Sequence, residues 1–68
     1  MPTIMQTVAA NVKRIRKVKG LTQQALADRV GIQRVYVAKI EGGVKTPSLQ
    51  MLEKLARALK VTVGELVA

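Results

Sequence analysis

The sequence has no cysteine, no histidine and a single aromatic residue, Tyr36, among its 68 residues. Without cysteine it can form no disulfide and no cysteine-based zinc site, and without histidine it lacks the commonest metal ligand and the usual general base. The one serine, Ser48, has no histidine to activate it, and the four acidic residues stand singly along the chain. We therefore expect no enzymatic activity, no metal and no cofactor.

Long apolar runs are absent as well. No stretch approaches the roughly 18 residues of a membrane-spanning helix, and residues 1–7 lack the basic flank and apolar stretch of a signal peptide. We expect no membrane partner and a cytoplasmic, nucleoid-associated location. Because 49% of the residues are hydrophobic, the chain is too apolar for a disordered tail. We expect one domain over residues 1–68, with a core of valine, leucine, isoleucine and alanine.

Positive charge is what the sequence has in excess. Twelve lysines and arginines against four acidic residues give a formal net charge of +8. Five of these cations lie between Lys13 and Lys19, where they crowd the end of the first predicted helix. Such a run fits a nucleic-acid partner, but it also fits the solvated side of an ordinary helix, so charge alone leaves both interpretations open.

Hydrophobic periodicity predicts an all-α fold of five helices. The first runs from about Ile4 to Lys19, and Thr3 with Gln6 fits a capping box at its start. Its expected inward stripe consists of Ile4, Val8, Val12 and Ile15. Thr22 is expected to cap a second helix that ends after about two turns at Gly31.

The remaining three helices are predicted in the same way. The third runs from about Gln33 to Glu41, and Ser48 caps the fourth. The core positions expected in the fourth helix are Leu49, Leu52, Leu55, Ala56 and Leu59. Thr62 and Glu65 fit a second capping box, which opens a short fifth helix that Gly64 weakens. Val63 and Leu66 are the residues that this helix is expected to bury.

The segment between Gln23 and Gly42 fits two short helices joined by a tight turn. Ala27 is small enough for the two backbones to approach closely, and Gly31 can adopt a positive φ at low steric cost. The apolar residues Val37 and Ile40 would fix the third helix to the core. Its outer face would then be free, and a helix of this diameter fits the major groove of B-DNA.

The sequence resembles the phage repressor and Cro family of helix-turn-helix proteins, also called the xenobiotic-response-element family. The resemblance covers about residues 8 to 67 and depends on a pattern over five helices. The matching residues are Ile15-Arg16, Gly20-Leu21-Thr22-Gln23, Leu26-Ala27, Gly31-Ile32, Val37-Ala38-Lys39-Ile40-Glu41-Gly42, Pro47-Ser48-Leu49, Leu52, Leu55-Ala56, Leu59 and Val61. It implies a five-helix DNA-binding fold, similar to that of the lambda repressor, with the helix-turn-helix at about residues 23–42.

The resemblance also implies four base-facing positions on the third helix. They are Gln33, Arg34, Val35 and Lys39. Their chemistry is suited to that role, since arginine and lysine can donate to guanine, glutamine can pair with adenine or bind phosphate, and valine can touch a thymine methyl group. Ordinary surface residues are the alternative at each position, above all for the valine.

Phosphate contacts are implied at four further positions. Gln23 matches the glutamine that holds a phosphate oxygen at the start of the second helix. Tyr36, Lys45 and Thr46 match positions that contact the DNA backbone beside the groove. For Tyr36 the alternative is packing against the second helix.

A structural ion pair is implied between Arg16 and Glu41, joining the first helix to the end of the third. The sequence departs from the family at two visible positions. Gln33 stands where serine or threonine commonly caps the third helix, and Gly64 replaces a better helix former.

A homodimer is expected, because one recognition helix reads few base pairs and two-fold dimers commonly read pseudo-palindromic sites. The residues predicted for its interface are Val44, Val63, Leu66 and Val67. No small-molecule effector site is apparent. We thus predict a dimeric, repressor-like or Cro-like regulator that binds double-stranded DNA.

Two other classes are compatible with parts of the sequence. A basic amphipathic helix can lie on an anionic membrane, but the apolar stripe of the first helix is needed for the core. A protein-binding adaptor or an antitoxin would use the same helix-turn-helix fold, because fold alone does not fix function. The second class is the stronger alternative.

Overall fold

The fold consists of five helices and no strand, in a computed structural model that describes all 68 residues. The helices are α1 (Ile4–Val18), α2 (Gln23–Val30), α3 (Arg34–Glu41), α4 (Leu49–Leu59) and α5 (Val63–Val67). The predicted all-α architecture is confirmed. Every helix begins within about one residue of its predicted start, and the first three helices end within about one residue of their predicted ends. No helix is both long enough and apolar enough to cross a membrane.

Short hydroxyl side chains begin four of the five helices. Thr3, Thr22, Ser48 and Thr62 each accept a hydrogen bond from the backbone N–H three residues later, at 2.9–3.1 Å. Such caps satisfy N–H groups that have no partner inside the helix. The start of α3 differs, because Gln33 makes no side-chain cap there, as its residue type predicts.

The two predicted capping boxes have different outcomes. At α1 the box is complete, since the Gln6 side chain also accepts from the Thr3 backbone N–H at 2.9 Å. At α5 the prediction was half wrong, because Thr62 accepts from Glu65 N–H but the Glu65 side chain makes no return bond. The Glu65 carboxylate lies at an exposed position, where water satisfies it equally well.

Gly31 makes the turn between α2 and α3. It adopts φ 85° and ψ 34°, a left-handed conformation, and both Gly31 and Ile32 donate their backbone N–H to the carbonyl of Ala27. These two bonds close the end of α2 and fix the direction in which α3 begins. Ala27 is fully buried, so the tight crossing of α2 and α3 depends on its small side chain.

All five helices contribute to one hydrophobic core of eleven residues. They are Val8, Val12, Ile15, Leu26, Ala27, Val37, Ile40, Leu55, Ala56, Leu59 and Leu66. Two predicted core residues, Ile4 and Leu49, were wrong, since each is 65% exposed. Both are the first residue of their helix, and the buried residues of α1 and α4 begin only at Val8 and Leu55. Periodicity identifies the inward face of a helix but not the point at which the core ends.

A long-range hydrogen bond holds α5 against α1. The Asn11 side-chain amide donates to the carbonyl of Leu66 at 3.0 Å and to that of Ala68 at 3.3 Å. Leu66 is completely buried below this contact, so its place in the predicted dimer patch was wrong. A side chain that fills the core of its own chain has no surface to offer a second copy.

Candidate nucleic-acid interface

The outer face of α3 is formed by polar and basic side chains on a helix whose inner face is buried. Val37 is 0% exposed and Ile40 is 1% exposed, so they fix the rotation of α3 about its axis. The side chains left on the solvent side are the four predicted base-facing residues, Gln33, Arg34, Val35 and Lys39, all of them exposed. The structure therefore leaves all four accessible, three on α3 and Gln33 at the position that precedes it. We call the surface formed by these four residues the recognition surface.

A shallow groove of about 360 Å³ lies beside this face. It is lined by Ile32, Gln33, Val35, Tyr36, Lys39 and Lys45. Tyr36 is half-buried and packs against the core, so its ring forms part of the groove wall. The Lys45 Nζ lies 5.3 Å from the centre of the Tyr36 ring, a distance at which the ammonium group and the ring attract each other.

The loop after α3 is fastened to the end of that helix. The backbone N–H groups of Val44 and Lys45 both donate to the carbonyl of Lys39, at 3.0 and 3.2 Å. This places Lys45 next to the outer face of α3. Thr46 follows it, exposed and without a hydrogen bond from its side chain. The predicted phosphate-contacting residues of the loop thus flank the predicted base-facing ones.

Arg16 and Glu41 form the only salt bridge in the molecule. Arg16 Nε lies 2.6 Å from Glu41 Oε2, and Arg16 Nη2 donates to Glu41 Oε1 at 3.0 Å. The arginine also donates from Nη1 to the carbonyl of Leu21 at 2.8 Å. The two side chains are only 10% and 3% exposed. This two-point pairing ties the end of α3 to α1 and satisfies both buried charges.

Gln23 connects this ion pair to the outer face of α3. Its Nε2 donates to Glu41 Oε1 at 3.1 Å, and its Oε1 accepts a long hydrogen bond from Arg34 Nη1 at 3.4 Å. Four side chains from three helices are thereby linked in the order Arg16, Glu41, Gln23, Arg34. The resemblance implies only a phosphate contact for Gln23. Its second role is not predictable from the sequence, because no periodic spacing relates Gln23 to Glu41 and Arg34.

Positive charge on this surface is not neutralised by acidic side chains. Arg34, Lys39 and Lys45 have no carboxylate within 4 Å, since Glu41 pairs with Arg16 alone. Arg34 is bonded to a neutral amide and keeps its full charge exposed. A surface of this kind attracts phosphates and presents hydrogen-bond donors to the edges of bases.

The crossing of α2 and α3 around Gly31, with the outer face of the second helix exposed, defines a helix-turn-helix. Residues 12–66 match the model of the helix-turn-helix family HTH_3. The chain belongs to this family, as the resemblance predicted.

Three known proteins place the chain within the family. It is 43% identical to the immunity repressor protein of Bacillus phage phi105 over 61 residues, and this aligned region covers 90% of this chain and 42% of the repressor. The crystal structure of the restriction-modification controller protein C.AhdI from Aeromonas hydrophila superposes with a TM-score of 0.87 at 35% identity, covering 91% of this chain and 94% of that one. The structure of the biofilm regulator SinR in complex with DNA superposes at 0.85 with 34% identity, covering 90% and 98%.

The names of these relatives describe regulators rather than enzymes. The chain spans less than half the length of the phage repressor that it matches. It corresponds to nearly all of the C.AhdI chain and of the SinR chain that was solved with DNA.

Proposed function

We propose that this protein is a transcriptional regulator that binds specific sequences in double-stranded DNA by placing α3 in the major groove. The observation that carries this proposal is the division of α3 into a fully buried face and an exposed face bearing Gln33, Arg34, Val35 and Lys39. Residues 1–68 would act as one DNA-binding unit in the cytoplasm. The SinR complex supports the proposal, because a chain of the same fold binds DNA there.

Each exposed residue of α3 has a role that follows from its chemistry. Arg34 reads the O6 and N7 of a guanine, and Lys39 donates to a neighbouring acceptor. Gln33 pairs with an adenine or a phosphate, and Val35 touches a thymine methyl group.

Backbone contacts then fix the position of α3 in the groove. Gln23 binds a phosphate with its amide, aided by the free N–H groups at the start of α2. Tyr36, Lys45 and Thr46 hold the phosphates on the other side of the recognition surface. These contacts carry no sequence information, so they set affinity and orientation for the four side chains of α3.

The active form is a homodimer on a pseudo-palindromic operator, with half-sites about 34 to 36 Å apart. Of the residues predicted for its interface, Leu66 is excluded by its burial and three valines are retained. Val44 is 74% exposed, Val67 is 36% exposed and Val63 is half-buried. Exposed apolar side chains on a small domain are suited to contact a second copy.

Selection of bound duplexes from a random DNA library tests the proposal. It should be carried out near physiological salt, because at low salt the charge of +8 would bind any duplex. We expect an enriched inverted repeat with a spacing of about one helical turn. Binding that disappears with rising salt, without any enriched motif, would contradict the proposal and favour the protein-binding or antitoxin class.

A further inference from the structure

A second groove, with a volume of about 430 Å³, lies between the last turn of α2 and the second half of α4. It is lined by Arg29, Val30, Lys54, Arg57, Ala58 and Lys60. Four of these six residues are cations. Arg29 Nη1 donates to the carbonyl of Ala58 at 3.3 Å, which holds its guanidinium against α4. We call this feature the α2–α4 groove.

The α2–α4 groove is separate from the recognition surface. It contains no residue of α3 and shares no residue with the groove beside Tyr36. The two ends of α2 serve the two surfaces, because Gln23 at its start contacts Arg34 while Arg29 near its end contacts α4.

No acidic side chain compensates the four cations. None lines the groove, and the only salt bridge in the molecule joins Arg16 to Glu41. Asp28 precedes Arg29 in the sequence and Glu53 precedes Lys54, but neither carboxylate comes within 4 Å of a cationic group. Asp28 instead accepts a hydrogen bond from the Gln24 amide at 2.8 Å.

Helix dipoles account for only part of this charge. The carboxyl ends of α2 and α4 both lie at the groove, and the carboxyl end of a helix carries about −0.5 of an elementary charge. Two ends therefore offset about one of the four positive charges, which leaves an excess of roughly three. Four cations that repel one another across a small groove are most stable when an anion of several charges lies between them.

We propose that the α2–α4 groove is a second phosphate-binding site, which takes a chain of linked phosphates. Arginine forks match phosphate oxygens with paired hydrogen bonds, and lysines add point charges. The apolar lining is limited to Val30 and Ala58, which leaves little for the side chains of an acidic peptide to fill. The phosphates come either from a free oligophosphate or from the backbone of a second DNA segment.

Titration with sodium tripolyphosphate, followed through the backbone amide resonances near physiological salt, tests the site without any operator. We expect saturable shifts centred on residues 29, 57 and 60. The double variant Lys54→Gln/Arg57→Gln should weaken tripolyphosphate binding about tenfold, because it removes two exposed contacts and no core residue. The charge-matched control Lys13→Gln/Lys17→Gln, on the exposed face of α1, should change it less than twofold.

Three results would overturn the proposal. These are shifts spread evenly over all basic surfaces, equal weakening by the two double variants, or tighter binding of poly-glutamate than of tripolyphosphate at the same groove. If the double variant fails to fold, the single variant Arg57→Gln replaces it. The pattern of amide shifts on the unaltered chain tests the site independently of any variant.

A second measurement, which depends on the proposed operator binding, separates the two sources of phosphate. A labelled duplex of unrelated sequence is added to the complex of protein and operator. If the unaltered protein captures the labelled duplex and the Lys54→Gln/Arg57→Gln variant does not, the groove is assigned to a second DNA segment. If tripolyphosphate binds in the groove but no second duplex is captured through it, the groove is assigned to a free oligophosphate.

Discussion

Arg34 is part of the recognition surface and Lys45 lies beside it. The two are proposed to contact different parts of the DNA, a base for Arg34 and the phosphate backbone for Lys45. Replacing Arg34 with alanine should cost about 1 to 3 kcal/mol on the preferred site and relax the choice of base there. Replacing Lys45 with alanine should weaken all sequences alike and lower the slope of log affinity against log salt by about one. Duplex binding at several salt concentrations, with preferred and scrambled sites, measures both effects. If Arg34→Ala leaves sequence preference intact, the assignment of α3 as the recognition helix is wrong.

Glu41 presents a different case, because its role is in stability. Its carboxylate is almost fully buried against Arg16, so Glu41→Ala leaves the guanidinium without its partner. Breaking a buried pair in this way costs about 3 to 5 kcal/mol, a large part of the stability of a chain of this length. Chemical denaturation measures the loss. The matched control is Glu53→Ala, an exposed acid in no ion pair, which should change stability by less than about 0.5 kcal/mol.

Single residues also show where sequence reasoning succeeds and where it fails. Ala27 and Gly31 were identified because a tight turn requires a small residue and a positive φ at fixed positions. The double contact of Gln23 could not be predicted, since its partners lie 18 and 11 residues away and the contact depends on the packing of α2 against α3. The residue types that a turn requires can be read from the sequence of the turn itself, whereas contacts between side chains that are distant in sequence cannot.

At the scale of helices, α5 offers the clearest test of propensity. Gly64 does not adopt a positive φ, and a Cβ there would lie 3.6 Å from Thr62 Oγ1, an ordinary contact. Gly64→Ala should therefore stabilise the protein by about 0.5 to 1 kcal/mol, because alanine loses less backbone entropy in a helix. Since Leu66 anchors α5 in the core, thermal unfolding should report the gain as a rise in Tm of a few degrees.

Gly31→Ala is the matched control for that change. Gly31 has φ 85°, so a side chain there is strained, although nothing lies within 4 Å of the added Cβ. Gly31→Ala should lower the Tm of the protein, whereas Gly64→Ala should raise it. An unchanged Tm for Gly64→Ala would show that α5 does not unfold together with the rest of the chain, and a fall would show that the added methyl group is not accommodated beside Thr62.

The bounds of the helices were predictable because their signals are local. Threonine and serine caps mark the starts of four helices, and the glycines Gly31 and Gly42 mark the ends of α2 and α3. The sequence could not show that Asn11 holds the end of α5, a contact across 55 residues. Leu66 was predicted both for the buried face of α5 and for the dimer patch, and only the first prediction is confirmed. An apolar residue at such a position has the same sequence signal whether it fills the core or a dimer interface.

For the whole molecule, the proposed dimer makes a prediction that is independent of DNA. Val67→Glu should shift the equilibrium toward the monomer, because it places a charge in an apolar contact, while the fold is kept since Val67 is partly exposed. Analytical ultracentrifugation measures the change. Val18→Glu is the control, a valine on α1 that is 75% exposed and lies outside the patch. Equal behaviour of the two variants, or a single chain on each operator, would contradict the proposed interface.

The connected side chains Arg16, Glu41, Gln23 and Arg34 limit how such a regulator can acquire a new operator. Residue 34 is bonded to α2, and α2 is bonded through Glu41 to the pair that ties α3 to α1. Transplanting an α3 that lacks an arginine at position 34 or an acid at position 41 would leave the Gln23 amide or the Arg16 guanidinium without its partner. A transferable recognition module from this protein therefore includes α2 and the arginine of α1, and a change of DNA preference that keeps the fold stable requires compatible changes in all three helices.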